Sequence, residues 1–469
     1  MDVVSFFAGC GGLDLGFEQA GFRVVWANEF DPAVQATYER NHPHTQFMLK
    51  DINNLHPDDI PDCDGFIGGP PCQSWSIAGQ QKGLEDKRGI LFNTYIELIR
   101  IKRPKFFLIE NVKGLLDEIF QPIFQMFLNK LTEIGYKVKW TLLDAANFRV
   151  PQNRERVFII GFRNDINVNY EFPAVTYATP ISLLRAIGDI KENPVVYQGK
   201  EPLRPNPYRV NHDVLISDFT TFYNRGNRRR GWQQPSFTIH ATADNIPLHP
   251  SSPKMIFFGH ENWEFQKDKM DEYRRLSVRE YARIQTFPDS FTFEGNDIKA
   301  QYKMIGNAVP PRLAKVLAQS ILAALNNIKI DPIKQSNRIT LEECVLVGYF
   351  KDTWHHDCII KNKLYYVRSD ERPGSMFKES CEMMPKFLLM HHKEQTEVYE
   401  LEKEEPALAD KSYLQSLGFK CKGNTYLVFH IKDTKPINMS KLAYNPYNYT
   451  PYFTKLKDLI DNKQYNKTE

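Results

Sequence analysis

"DVVSFFAGCGGLDLGFEQAG", residues 2–21, sets the reading of the chain. A short apolar run, DVVSFF, gives way to a glycine-rich stretch and then to apolar residues at helical spacing. Gly9, Gly11 and Gly12 therefore follow a predicted strand and open a helix, where small residues let a ligand approach the backbone closely. The rhythm repeats. RVVWANEF (23–30) reads as a second strand and PAVQATYERN (32–41) as a second helix, and QFMLK (46–50) is a third apolar stretch. DGFIGG, KFFLIEN and RVFIIGF supply further strands, with helical stretches between the earlier ones. Strands separated by helices of this length predict an α/β fold, a Rossmann-like parallel sheet covered on both faces.

Acidic residues add chemistry to the loop. Glu29 ends the second strand, twenty residues after Gly9, where a carboxylate can accept hydrogen bonds from the ribose hydroxyls of a nucleoside cofactor. Asp51 follows the third apolar stretch and is placed to meet an adenine amino group. The loop lacks the Gly-Lys-Ser/Thr ending of a P-loop, and no lysine or arginine precedes Phe22 to neutralise a pyrophosphate. It suits a cofactor without phosphates, such as S-adenosylmethionine.

A chain of 469 residues has room for two or three domains. Its net charge of +3 implies no partner by itself. Seven cysteines without a C-x-x-C pair fit a reducing cytoplasm better than a disulfide framework or a zinc site, and no metal is expected. Asp2 directly after Met1 and the lack of a long apolar run predict neither a signal peptide nor a membrane span.

In "GGPPCQSWSIAG" (68–79), two glycines and two prolines hold the backbone around Cys72. A buried structural cysteine needs no such scaffold, whereas a nucleophile must be aimed. Cys72 follows the strand DGFIGG, Glu110 ends the strand FFLIE, and Arg154 and Arg156 precede the strand RVFIIGF. A thiol, a carboxyl group and two guanidinium groups are thus expected at the carboxyl edge of the sheet, where ligands of open α/β sheets collect.

With these motifs in order, the chain resembles the bacterial cytosine-C5 DNA methyltransferases over nearly all of residues 1–327. FFAGCGGLDLGF is similar to the family's cofactor loop and GGPPCQSWSIAG to its catalytic loop. ENV (110–112), QNRERVFIIGF (152–162), RRLSVREYARIQTFPDSF (274–291) and YKMIGNAVPP (302–311) also fit. By layout the chain is especially similar to enzymes that methylate short palindromic sites of the GGCC type. The resemblance implies S-adenosylmethionine as cofactor and Cys72, Glu110, Arg154 and Arg156 as catalytic residues. It adds Phe7, Phe30, Ile52, Pro71, Leu91 and Asn307 to the cofactor set of Gly9, Gly11, Gly12, Glu29 and Asp51. It also adds Gln73, Ser76 and Arg88 to the residues that meet DNA. It implies a cytoplasmic monomer acting on double-stranded DNA, away from any membrane, with a cognate restriction endonuclease that it does not bind.

Neighbouring readings differ in their residues. Amino-group methyltransferases carry Asp/Asn-Pro-Pro-aromatic at this loop, and here Gly69 and Cys72 stand at the equivalent places. A carbon-5 enzyme acting on RNA shares the chemistry, but the long segment before RRLSVRE favours a DNA reader. A silent DNA-binding scaffold is the remaining alternative, against which the complete set of Cys72, Glu110, Arg154 and Arg156 argues.

The expected domains are catalytic and cofactor-binding (1–164), target recognition (165–272), a return to the catalytic domain (273–327) and a C-terminal accessory domain (328–469). In the second, Arg225, Arg228, Arg229 and Arg230 cluster with asparagines and glutamines. Arginine pairs with guanine and amide side chains with adenine, although arginines also meet phosphates. In the fourth, ECVLVGYF, KLYYVRS, KFLLMHH, TEVYELE and TYLVFHI read as strands and DKSYLQSLGF as a helix, a β-rich α+β domain.

Overall fold

A computed structural model of the chain describes residues 1–71, 87–174, 180–190, 192–197, 210–216, 219–257, 263–295, 297–326, 344–350, 352–368, 385, 387–392, 395–402, 407–420, 425–432, 436 and 452–455. The chain forms two compact units. One comprises Met1–Asp218, Pro235–Pro247 and Arg275–Gln335, the other Phe219–Gln234, Leu248–Arg274 and Ser336–Glu469.

The first unit is built on seven strands: β1 (Asp2–Phe6), β2 (Arg23–Glu29), β3 (Gln46–Leu49), β4 (Gly65–Gly68), β5 (Phe106–Val112), β6 (Tyr136–Asp144) and β7 (Glu155–Arg163). They form one sheet in the order β3-β2-β1-β4-β5-β7-β6. β1 runs parallel to β2 and β4, as do β2 to β3 and β4 to β5, and β7 runs against both β5 and β6. The expected parallel sheet is thus present, with one reversed strand. Val3, Val4, Ser5 and Phe6 are all fully buried, as a central strand covered on both faces requires. β6 was not legible as a strand. Its sequence, YKVKWTLLD, interleaves lysines with apolar residues, which suits the sheet edge it occupies.

Helices α1 (Gly12–Gln19), α2 (Gln35–Asn41), α3 (Lys87–Lys102) and α4 (Gln121–Glu133) follow the strands. After β7 come α5 (Leu183–Ile187), the short parallel pair β8 (Val195–Tyr197) and β9 (Asp213–Leu215), then α6 (Val278–Ile284), α7 (Ile298–Asn307) and α8 (Pro311–Leu325). Alternation along the strands sends side chains to two cores. Val3, Ile67, Leu108 and Phe158 pack with Phe17 of α1 and with Leu313 and Leu317 of α8. Val4, Phe66, Phe107 and Ile159 pack with Tyr95 and Ile99 of α3 and with Phe127 and Leu131 of α4. No described helix is long and apolar enough to cross a membrane.

In the second unit, β10 (Ile256–Phe257) and β11 (Trp263–Glu264) form an antiparallel ribbon. The C-terminal region adds β12 (Cys344–Tyr349), α9 (Thr353–Asn362), β13 (Leu364–Arg368), β14 (Phe387–His392), β15 (Gln395–Glu400), β16 (Ala407–Asp410), α10 (Lys411–Ser416), β17 (Thr425–His430) and β18 (Tyr452–Lys455). They make two sheets, β15-β14-β12-β18 and β13-β17-β16. Leu346, Leu388, Met390 and Val428 share a core with Ile359 of α9 and Leu414 of α10. The β-rich character follows the sequence, but α9, β16 and β18 are additions to it. α9 starts where Asp352 accepts the His355 N–H at 2.8 Å, an N-cap ahead of the histidine pair.

α1 and α8 meet almost backbone to backbone. A Cβ on Gly16 would lie 2.3 Å from Ala314 Cβ and 2.6 Å from the Pro311 carbonyl oxygen. Glycine to alanine ordinarily favours a helix interior; here the sign reverses. Gly16→Ala is expected to lower the thermal midpoint, losing about 1–3 kcal/mol through overpacking. A raised midpoint in a melt of the variant would refute this account of the helix pair.

Candidate active site

The strand order reverses between β1 and β4, and the loops after those two strands open on the same crevice. A cavity of about 400 Å³ lies there, within the range of small-molecule sites. Its wall includes Phe7, Gly9 and Gly12 after β1, Glu29 and Phe30 after β2, Pro70 and Pro71 after β4, and Glu110 to Val112 at the end of β5. Arg154 and Arg156 enter from the β7 side, and Lys303 and Gly306 to Val309 come from the end of α7 and the turn after it.

The loop is held in shape from several sides. Phe7 has φ 54° and Gly11 φ 85°, so the chain turns through left-handed conformations before entering α1. The Glu29 carboxylate accepts the N–H of Gly9 at 2.9 Å through one oxygen, and those of Phe30 at 2.7 Å and Asp31 at 3.1 Å through the other. Phe30 presents its ring at the cavity, 66% exposed. Lys303 donates to Asp31 at 2.8 Å, tying α7 to the β2 loop.

Glu110 and Arg156 form an ion pair at 3.1 Å, with side chains only 12% and 15% exposed. Glu110 also crowds the proline loop, since a Cβ on Gly69 would lie 3.0 Å from its Oε2. The neighbouring Asn111 is buried and donates to the Pro70 carbonyl at 3.1 Å, fastening the end of β5 to the loop. Its place in ENV was visible in the sequence, but its fastening role was not.

Arg154 is 1% exposed. Its guanidinium donates to the carbonyls of Ile239 at 2.9 Å, Gly306 at 3.0 Å and Ala308 at 3.1 Å. Burial, with the nearby Arg156 charge, pulls it down to about 9, still cationic at neutral pH. Two glutamines that sequence reasoning passed over complete this brace. Gln152 donates to Gln285 and accepts the Ile239 N–H, while Gln285 donates to the carbonyls of Ile305 at 2.9 Å and Ala308 at 2.6 Å. Their spacing in QNRER and ARIQ carries no hint that the two side chains meet.

The remaining expected site residues are placed differently. Gly11 is not among the residues that line the cavity. Asp51 is exposed and caps its own short turn by accepting the Asn53 N–H at 2.9 Å, with Ile52 buried in the core beside it. Leu91 packs at the edge of the α3 core. Asp51, Ile52 and Leu91 are not on the cavity wall among the described residues. Cys72, Gln73 and Ser76 lie outside the described residues, as does the side chain of Arg88.

The family described as C-5 cytosine-specific DNA methylase matches residues 1–323. The chain belongs to that family. This methylase is 43% identical over 328 residues to the Type II methyltransferase M.MthTI of Methanothermobacter thermautotrophicus, a match covering 70% of this chain and 99% of the relative. It is also 43% identical over 330 residues to the Type II methyltransferase M.FnuDI of Fusobacterium nucleatum, covering 70% and 96%. A crystal structure of a Spodoptera frugiperda DNMT2 variant shares the fold, with TM-score 0.51 at 19% identity over 69% of this chain and 99% of that one. Like the family, the methylase transfers a methyl group to carbon 5 of cytosine in DNA.

In the methylase's second unit the four clustered arginines separate. Arg225 is exposed at the end of a short helical turn. Arg228 stacks on Phe222, its guanidinium carbon 3.8 Å from the ring centroid. Arg229 donates to the carbonyls of Ser252 and Pro250, both at 2.6 Å. Arg230 is half-buried.

Cys10 also lines the cavity, and its environment sets it apart from a nucleophile. Its thiol donates to the Met304 carbonyl at 3.4 Å, and burial pushes it up to about 12. The reactive form is the thiolate, so Cys10 is inert at neutral pH. Iodoacetamide at pH 8 is expected to leave Cys10 unmodified in the native protein, as read by peptide mass spectrometry. Native-state labelling of Cys10 at the rate of an exposed thiol would overturn this assignment.

Proposed function

We propose that the methylase acts on one cytosine of a short palindromic site in double-stranded DNA, with Cys72 as nucleophile, and protects host DNA within a restriction-modification system. The observation that carries this reading is the Glu110–Arg156 pair on the cavity wall beside Pro71, the residue before Cys72 in the chain. On this reading it is a cytoplasmic monomer, and its cognate endonuclease need not bind it.

The cavity fits an adenosyl cofactor. It has a carboxylate at its rim, a glycine loop leading into a helix, an exposed aromatic ring, and room for a nucleoside. Glu29 would hold the ribose. A carboxylate offers about four lone-pair sites, and three backbone amides already use this one, so room for one further strong bond remains. Phe7, Phe30, Gly9, Gly12, Pro71 and Asn307, all on the cavity wall, would complete the pocket, whereas Gly11, Asp51, Ile52 and Leu91 stand off that wall. When bound, S-adenosylmethionine supplies the electrophilic methyl group.

Carbon 5 of cytosine is too poor a nucleophile to take that group directly. Addition of the Cys72 thiolate at carbon 6 makes carbon 5 an enamine carbon. Glu110, carrying a proton for this step, donates to ring N3 and accepts from the exocyclic amine, so that its proton neutralises the negative charge that attack places on the ring. Arg156 contacts the base carbonyl oxygen, and its pairing with Glu110 holds both groups ready for the same ring. Arg154 acts through its neighbours by bracing the cavity wall. Once carbon 5 carries the methyl group, a water-derived base removes its proton, and that electron pair re-forms the carbon 5–carbon 6 double bond. Cys72 leaves as the thiolate, and the N3 proton returns to Glu110. Because attack and transfer need both faces of the ring, the cytosine must leave the helical stack. Gln73, Ser76 and Arg88 would meet the DNA around it. Of the reader arginines, Arg225 is the most accessible to a base or phosphate, while Arg228 and Arg229 have parts of their side chains engaged in their own lobe and Arg230 is half-buried.

Cys72→Ala is expected to abolish methyl transfer while sparing specific DNA binding. A duplex with 5-fluorocytosine at the target should trap the wild-type protein covalently, since carbon 5 then carries no removable proton. Appreciable single-turnover methylation by Cys72→Ala would sink the covalent mechanism. Glu29→Ala is expected to weaken S-adenosylmethionine binding by about 1.5–3 kcal/mol, the worth of a charge-assisted hydrogen bond. Calorimetry showing unchanged affinity would remove Glu29 from the pocket.

A further inference from the structure

The arginine-bearing lobe of the second unit, residues 219–234 and 248–274, has a thin core. Tyr223, Leu248, Met255 and Tyr273 are buried, with Phe219, Phe222, Trp263 and Phe265 half-buried around them. A lobe this small buries too little of its surface to be stable alone, and a two-stranded ribbon such as β10–β11 is marginal in water. The lobe nevertheless belongs to the same compact unit as the C-terminal region. β10 lies alongside β16, an edge strand of the β13-β17-β16 sheet, and the Phe257 ring meets Tyr413 of α10 edge-on at 6.3 Å and 80°. The family match ends at residue 323, and M.MthTI is covered over 99% of its length by 328 residues of this chain, so the C-terminal region lies beyond what the relatives share.

We propose that the C-terminal region is the structural support of the arginine-bearing lobe, docked on it through β16 and Tyr413. The two then form one body, and loosening the contact loosens the lobe while leaving the cofactor cavity intact. Given the reading of that lobe as the DNA reader, a loosened lobe binds its site more weakly.

The test uses full-length protein. Tyr413→Asp and Phe257→Asp place a charge in the contact from opposite sides, and Tyr413→Phe keeps the ring. Three quantities are read: hydrogen exchange in 219–234 and 248–274, S-adenosylmethionine affinity, and duplex binding. Both Asp variants are expected to exchange faster in the lobe by at least about threefold, the scale of a lost aromatic pair. Their cofactor affinity should be unchanged, and Tyr413→Phe should match wild type throughout. Unchanged exchange in the lobe of both Asp variants overturns the inference. Faster exchange with full duplex affinity supports the structural link and overturns the assignment of the lobe as reader.

Discussion

The buried charge of Arg154 is the constraint on which the site depends. Taking a guanidinium out of water costs several kcal/mol, and the cost is met only where charge-assisted hydrogen bonds replace the lost hydration. Three backbone carbonyls do so here, and they come from Ile239, Gly306 and Ala308, far from Arg154 in sequence. The arrangement is reciprocal. Without the guanidinium, buried carbonyls lose their donors; without the turn at Gly306–Ala308, a cation is stranded in the core. That turn is cavity wall, so one side chain beside β7 fixes where a distant part of the chain closes the pocket.

The same economy appears at Glu29. A carboxylate there reads from the sequence as a candidate ribose ligand, and its three amide contacts set the path of the loop after β1 and of the chain after β2. The residue proposed to bind is thus also one that shapes. The same physics silences a neighbouring thiol: Cys10 sits in a buried pocket with the carboxylates of Asp14 and Glu29 nearby, all of which disfavour a thiolate.

Much of this was readable because it is local. Apolar runs, glycines and an acidic residue at fixed spacing give β1, the loop, α1 and Glu29 without knowledge of partners, and order along the chain places Glu110 and Arg156 at one sheet edge. What was not readable depends on long-range meetings. Gln152 and Gln285 are ordinary amides until the fold joins them across 133 residues. Arg229 reads as a DNA contact in a run of arginines, yet its guanidinium bonds the backbone at Pro250 and Ser252. β6 escaped because lysines on an edge strand dilute the apolar signal, and α9 because its start rests on the Asp352 cap rather than on an apolar period.

The glycine loop itself is shaped from behind. Asp14 is fully buried, and burial raises its carboxyl above the usual range; Ser5 donates to it at 2.6 Å and Tyr38 at 2.5 Å. Tyr38 stacks on His42, which pairs with Glu18 at 3.0 Å. The other edge of the His42 ring fills the space beside Gly11, where a Cβ would lie 2.1 Å from Nε2. Gly11 is therefore demanded twice, by its left-handed backbone and by the imidazole behind it. A loop fixed by its own polar underside keeps its shape before any ligand arrives, so binding need not supply the ordering free energy of the loop. The glycines permit the close approach; the buried cluster of Ser5, Asp14, Tyr38 and His42 is what makes that approach a fixed one.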